Sequence, residues 1–86
     1  MMRYIFVDES WEDYLYWQKA NKKILKKIHI LIKDMSRNPF DGIRKPEPLK
    51  YTYRGFWSRR IDGEHRLIYQ VKDSEILIAK CRFHYD

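Results

Sequence analysis

The sequence predicts an α+β domain: an N-terminal strand, an antiparallel pair of helices, and a mainly antiparallel sheet that the helices cover on one face. Three observations carry this expectation. Ile24, Leu25, Ile28, Leu31, Ile32 and Met35 recur at helical spacing. Asp62-Gly63 separates two runs rich in β-branched and aromatic residues, a hairpin signature. A short run of the same character, residues 4–7, stands ahead of the helical region.

Asp8-Glu9-Ser10 ends the first strand. Ser10 with Asp13 three positions on resembles a capping box. The acidic residues at 8, 9, 12 and 13 suit the positive end of a helix. A first helix is expected over 10–19, with Trp11, Tyr14, Leu15 and Trp17 facing inward. Asn21 can cap the second helix. Lys22, Lys23, Lys26, Lys27 and Lys33 fall off its apolar stripe and read as a solvated face, with contact to RNA phosphates as the alternative. Asn38-Pro39 stops that helix.

Residues 39–50 lose periodicity; Pro39, Gly42, Pro46 and Pro48 mark an irregular loop. Strands are then expected over 56–61, 65–71 and 76–85. The last alternates Leu77, Ala79, Cys81 and Phe83 with Ile78, Lys80, Arg82 and His84. No repeat or composition break divides the chain, so residues 1–86 are expected to form one domain. The sheet face away from the helices is expected to carry the arginines.

The chain has a net charge of +6, a pI near 9.5 and 44% apolar residues. That is too apolar for disorder and too charged for a membrane protein. No apolar run approaches the roughly 20 residues of a spanning helix. Residues 44–86 hold 10 basic and 6 acidic residues, the more basic half, which favours a polyanionic partner over simple solubility as the explanation. Cys81 is the single cysteine, so no intrachain disulfide forms and a reducing, cytoplasmic setting is expected. His29, His65 and His84 show no metal-ligand spacing, and no metal is expected. Glycines at 42, 55 and 63 make no phosphate loop, and Ser58 lacks a nucleophile-elbow context.

The remaining chemistry is a carboxylate, an imidazole and guanidiniums. Glu47 lies between Pro46 and Pro48, on a backbone stiffened from both sides. Neighbouring Arg44, Lys45 and Lys50 create a positive field that favours its ionised form. An exposed loop carboxylate is the plain alternative. Arg59, Arg60 and Arg66 flank the hairpin turn. A three-residue loop sets Arg60 opposite Arg66, and a two-residue loop sets Arg59 there. Like charges placed so are costly unless an anion, or local Asp62 or Glu64, lies between them. His84-Tyr85 closes the last strand and offers a ring that titrates near neutrality, or an idle surface histidine. A base for a 2′-hydroxyl, cations for a phosphate and an acid for the leaving oxygen together suit RNA cleavage.

Five segments carry a resemblance: Glu9 to Gln18, Lys45-Pro46-Glu47-Pro48-Leu49-Lys50, Gly55-Phe56-Trp57-Ser58-Arg59-Arg60-Ile61, Glu64-His65-Arg66-Leu67-Ile68-Tyr69, and Cys81-Arg82-Phe83-His84-Tyr85. Together they resemble the YoeB/Txe toxins of the RelE/ParE superfamily, which belong to bacterial type II toxin–antitoxin systems. The resemblance implies a RelE-like fold and a ribosome-dependent endoribonuclease that cleaves mRNA in the A site without a metal ion or cofactor. It implies Glu47 as general base, Arg66 as stabiliser of the transition state, His84 as general acid and Tyr85 as a positioning tyrosine. Lys50 and Arg60 would assist at the phosphate, and Lys45 would contact substrate. A cognate YefM-like antitoxin and, in many members, a toxin homodimer are further implications. Asp86 departs from the pattern, since the family typically stops at the tyrosine; its carboxylate beside the phosphate site is expected to weaken phosphate binding slightly. Two other classes remain open: a non-catalytic ParE-like toxin, which would lack the acid–base set, and an RNA-binding module that does not cut.

Overall fold

The computed structural model describes residues 2–84 of the chain. The elements run β1 (Arg3–Phe6), α1 (Asp8–Ala20), α2 (Lys22–Arg37), β2 (Glu47–Pro48), a 3₁₀ turn (Tyr51–Tyr53), β3 (Trp57–Arg60), β4 (Arg66–Lys72) and β5 (Glu75–Lys80). They build a five-stranded sheet in the order β1-β5-β4-β3-β2, with the two helices packed on it. Strand β1 pairs parallel to β5, and every other pair is antiparallel. This is the α+β architecture expected.

The second helix follows its sequence closely. Asn21 caps it, its side-chain oxygen accepting from the backbone N–H groups of Lys23 (3.0 Å) and Ile24 (3.3 Å). Ile24, Ile28, Leu31 and Met35 are buried, with Leu25 and Ile32 partly so, and the lysines lie exposed on the far side. This stripe meets Ile61, Leu67, Tyr69, Ile76, Ile78 and Trp17 to form the core. Each fully buried aliphatic side chain contributes about 1.5–3 kcal/mol.

The first helix departs from expectation at its start. It begins at Asp8, Val7 occupies the cap position, and no side chain caps it. Ser10 lies inside the helix, fully buried, where its hydroxyl donates to the carbonyls of Val7 (3.1 Å) and Ile78 (2.6 Å). A serine that reads locally as a cap is used instead to tie α1 to β5. Trp17 is buried as expected, but Trp11 is 47% exposed, stacked on Tyr14 with Phe6 against its edge.

The last strand also ends earlier than expected, at Lys80 rather than residue 85. Its buried residues are Ile76 and Ile78, and Cys81 then breaks the alternation by entering the same core. The chain turns there because α1 seizes it. Trp17 Nε1 donates to the carbonyl of Cys81 (2.8 Å), and the amide of Cys81 donates to Asp13 Oδ2 (3.0 Å). Burial pushes the Cys81 thiol up to about 12, so it packs as a core group and supplies no nucleophile at neutral pH.

Candidate active site

The loop between α2 and β2 is organised by a buried cation. Arg59, expected on the open face, is fully buried on the helix side. Its Nε donates to the Tyr69 hydroxyl (3.1 Å) and its Nη1 to Asp34 Oδ2 (2.5 Å). Its remaining N–H groups donate to the carbonyls of Ile43 and Asp41, and one Nη2 bond goes to Asn38 O. The Tyr69 hydroxyl in turn donates to Pro39 O (2.8 Å). The Arg59 guanidinium beside Asp34 holds that carboxyl below the usual carboxylate range. A segment without helix or strand thus acquires fixed partners for its carbonyls.

Past this clamp the chain bends sharply, with Arg44 and Lys45 both in the left-handed region at φ 64° and 53°. Such residues cost of order 1–3 kcal/mol each and persist only where their surroundings hold them. Arg44 supplies the hold: its carbonyl accepts from the amide of Arg60 (2.9 Å), and its side chain donates back to the carbonyls of Arg60 (3.1 Å) and Ile61 (2.9 Å). The bend delivers Glu47 and Pro48 as a two-residue strand on the sheet edge, where the sequence had suggested only loop. An edge position suits prolines, which have no N–H to give. Glu47 lies opposite Ser58, and Arg60 lies opposite Arg66, the three-residue-loop arrangement.

Lys45, Glu47, Ser58, Arg60, Arg66 and His84 line one polar pocket of about 90 Å³. That volume equals about three waters, far below the roughly 300–1,000 Å³ of a small-molecule site. It suits one phosphate group, with the rest of a polymer lying outside. Arg66 is fixed by donating to the carbonyls of Asp62 (2.8 Å) and His65 (3.0 Å), not to the nearby carboxylates. Asp62 instead accepts from the amides of Glu64 (2.8 Å) and His65 (2.7 Å); burial opposes its charge, but those bonds win and lower its pKa. Among the described residues no ion pair within 4 Å involves Lys45, Glu47, Arg60 or Arg66. All four line the pocket.

His84 reaches the pocket from the opposite end of the chain. The preceding residue, Phe83, is pinned at both backbone groups: its N–H donates to His65 Nδ1 (2.8 Å), and its carbonyl accepts from the amide of Arg66 (3.0 Å). Lys50 is exposed and lies outside the pocket lining, at the start of the 3₁₀ turn. Tyr85 and Asp86 lie outside the described residues. The sequence marks Arg44 only as charge near Glu47, and Ser58 and His65 only as groups set aside as nucleophile and metal ligand; it does not show that Ser58 lines the pocket or that Arg44 and His65 support it. Ser58 was legible, since strand alternation sets it on the face of Arg60. Arg44 and His65 act through backbone groups far along the chain, which no local pattern reveals. Among the described residues no cluster of three His, Cys, Asp or Glu side chains could hold a metal ion, and no helix is long and apolar enough to cross a membrane.

A family model described as YoeB-like toxin of bacterial type II toxin–antitoxin systems matches residues 6–85. The toxin YoeB of Escherichia coli K12 is 61% identical over 84 residues, covering 98% of this chain and all of that one. The solved YoeB/ParE toxin of Agrobacterium tumefaciens superposes with a TM-score of 0.95 at 44% identity, over 98% of this chain and 100% of that one. YoeB of Staphylococcus aureus, solved in complex with YefM, gives a TM-score of 0.91 at 48% identity over 99% of both chains. A dimer of that toxin gives 0.91 at 47% over 98% of both. The fold, the pocket and these matches along nearly the whole chain lead to one conclusion: this chain belongs to the YoeB toxin family of bacterial type II toxin–antitoxin systems.

Proposed function

We propose that this toxin is a ribosome-dependent endoribonuclease that cuts mRNA in the A site by general acid–base catalysis and so stops translation. The observation that carries the reading is that Glu47, Arg60, Arg66 and His84 line one pocket of phosphate size. Glu47 takes the proton of the 2′-hydroxyl, and the 2′-oxygen attacks the adjacent phosphorus. Arg66, with Arg60 beside it, offsets the extra negative charge that develops on the phosphoryl oxygens. The bond from phosphorus to the 5′-oxygen breaks, and His84 protonates that oxygen. The products are a 2′,3′-cyclic phosphate and a 5′-hydroxyl. Side chains supply base, acid and charge, so the step calls for no metal ion or cofactor. Lys45 contacts the RNA at the pocket rim, Lys50 does so further out, and Tyr85 positions the substrate.

Partners follow from charge and from the relatives. The S. aureus toxin solved with YefM supports a cognate YefM-like antitoxin for this chain, and the S. aureus dimer supports a homodimer. A net charge of +6 favours an acidic antitoxin segment and, on the ribosome, an RNA-lined site in the cytoplasm. The test is a ribosome-programmed mRNA incubated with the toxin and with Glu47→Ala, Arg66→Ala and His84→Gln, in EDTA at levels that leave the ribosome intact. Discrete A-site cuts by the wild type, lost in the variants, are expected. Ribosome binding without cuts by the wild type would show a binding module instead.

A further inference from the structure

His65 is a buried histidine, 8% exposed, that the reaction itself does not use. Its ring stands edge-on against Trp17, with centroids 4.8 Å apart and planes at 78°. Its Nδ1 accepts the N–H of Phe83 at 2.8 Å, and its Nε2 lies 3.6 Å from Glu64 Oε1. An Nδ1 that accepts carries no proton, so the ring proton resides on Nε2, facing that carboxylate. The next residue, Arg66, takes the carbonyl of the same Phe83 through its amide (3.0 Å). Residues 65 and 66 thus grip Phe83 at both ends of one residue, and that residue holds a left-handed φ of 65°, which a bulky aromatic side chain does not adopt unaided. Arg82, one step earlier, is laid over the Tyr16 ring at 3.5 Å from its centroid. Directly beyond the grip comes His84, and directly beyond the amide of Arg66 comes the guanidinium of the pocket.

We propose that His65 is a positioning residue that sets His84 in the pocket through its Nδ1 bond to the Phe83 amide. This inference rests on the reading of His84 as the general acid. Arg66 keeps its own bonds to the carbonyls of Asp62 and His65, so losing the Nδ1 bond displaces the acid while leaving the cation in place. A shift on the order of 1 Å in a catalytic group can cost about 100-fold in rate.

The test compares His65→Asn, whose side-chain oxygen can stand where Nδ1 stood, with His65→Leu, which keeps bulk and has no acceptor. Both are assayed as full chains on ribosome-programmed mRNA, alongside amide hydrogen exchange at Phe83 and the ¹⁵N signals of the wild-type imidazole. His65→Leu is expected to lower kcat by about 10–100-fold with KM little changed and to lose protection at Phe83. His65→Asn is expected to restore both within a few-fold. The wild-type ring is expected to carry its proton on Nε2 at neutral pH. Equal losses in both variants, full activity in His65→Leu, or a proton on Nδ1 would overturn the proposal, and the last stands even if His65→Leu does not fold. If the wild type makes no cuts while Phe83 stays protected, the ribonuclease reading fails and the grip on Phe83 survives as structure alone.

Discussion

Arg60 and Arg66 face each other across the hairpin, and that pairing tells most at the scale of single residues. Like charges directly opposite cost a few tenths to about 1 kcal/mol, and an anion between them reverses the sign. Phosphate or sulfate at millimolar levels should therefore raise the Tm of the wild type, as any ligand of the folded state does. Arg60→Met should be slightly more stable in anion-free buffer and should respond less to the anion, as thermal melts with and without phosphate would reveal. Glu47→Gln and His84→Gln are expected to lower cleavage by about 10²–10⁴-fold with little change in Tm. Arg66→Lys should remain strongly impaired, because a point charge does not replace a planar fork that is anchored at Nη1 by two carbonyls.

At the scale of elements, the loop carrying Lys45 and Glu47 depends on the buried pair of Arg59 and Asp34. Removing Asp34 as Ala strands a guanidinium with no exposure. The cost is expected near the lower end of about 3–5 kcal/mol, because the carbonyls of Asn38, Asp41 and Ile43 remain as acceptors. Chemical denaturation would measure it. The sign with pH also follows. Asp34 is held below its ordinary range chiefly by Arg59, so its contribution is fully present above the unfolded carboxylate value, near pH 4. It is lost as pH falls through the lower folded value. Asp34→Asn should therefore flatten the acid limb of the stability curve below about pH 4, and acid titrations of both proteins would check this.

The elements also explain what a reader of the sequence can and cannot see. The stripe and Asn21 cap of α2 are local patterns of 3.6-residue period and adjacent bonds, and both stand in the structure as read. Ser10 misleads because its hydroxyl is taken by Ile78, 68 residues away. The end of β5 misleads for the same reason: residues 81–84 continue to alternate on paper, but Trp17 and Asp13 seize Cys81. Arg59 and Arg60 are neighbours of identical type, and only Asp34, 25 residues away, decides which one is buried. The pocket was legible through the resemblance and through the chemistry of its side chains, not through any spacing, since β2, β4 and the chain end meet only in three dimensions.

For the whole molecule, the excess of positive charge should make association with an RNA-bearing target depend on salt. Binding to programmed ribosomes is expected to weaken steeply between low and physiological ionic strength. Alanine at Lys45 or Arg60 should each reduce the slope of log K against log salt by about 1, whereas alanine at buried Arg59 should act through stability instead. Sedimentation binding at several salt concentrations would separate the two.

In the proposed reaction the folded chain gathers a base, an acid and cations around one phosphodiester whose own 2′-oxygen attacks it. The most direct measurement is cleavage of a ribosome-bound mRNA carrying a single 2′-deoxynucleotide immediately 5′ of the scissile phosphate, with end-group analysis of the all-ribose control. No cut at the deoxy position, with a 2′,3′-cyclic phosphate and a 5′-hydroxyl in the control, is the expected result. Undiminished cutting of the deoxy substrate, or a 5′-phosphate and 3′-hydroxyl in the control, would rule out attack by the 2′-oxygen.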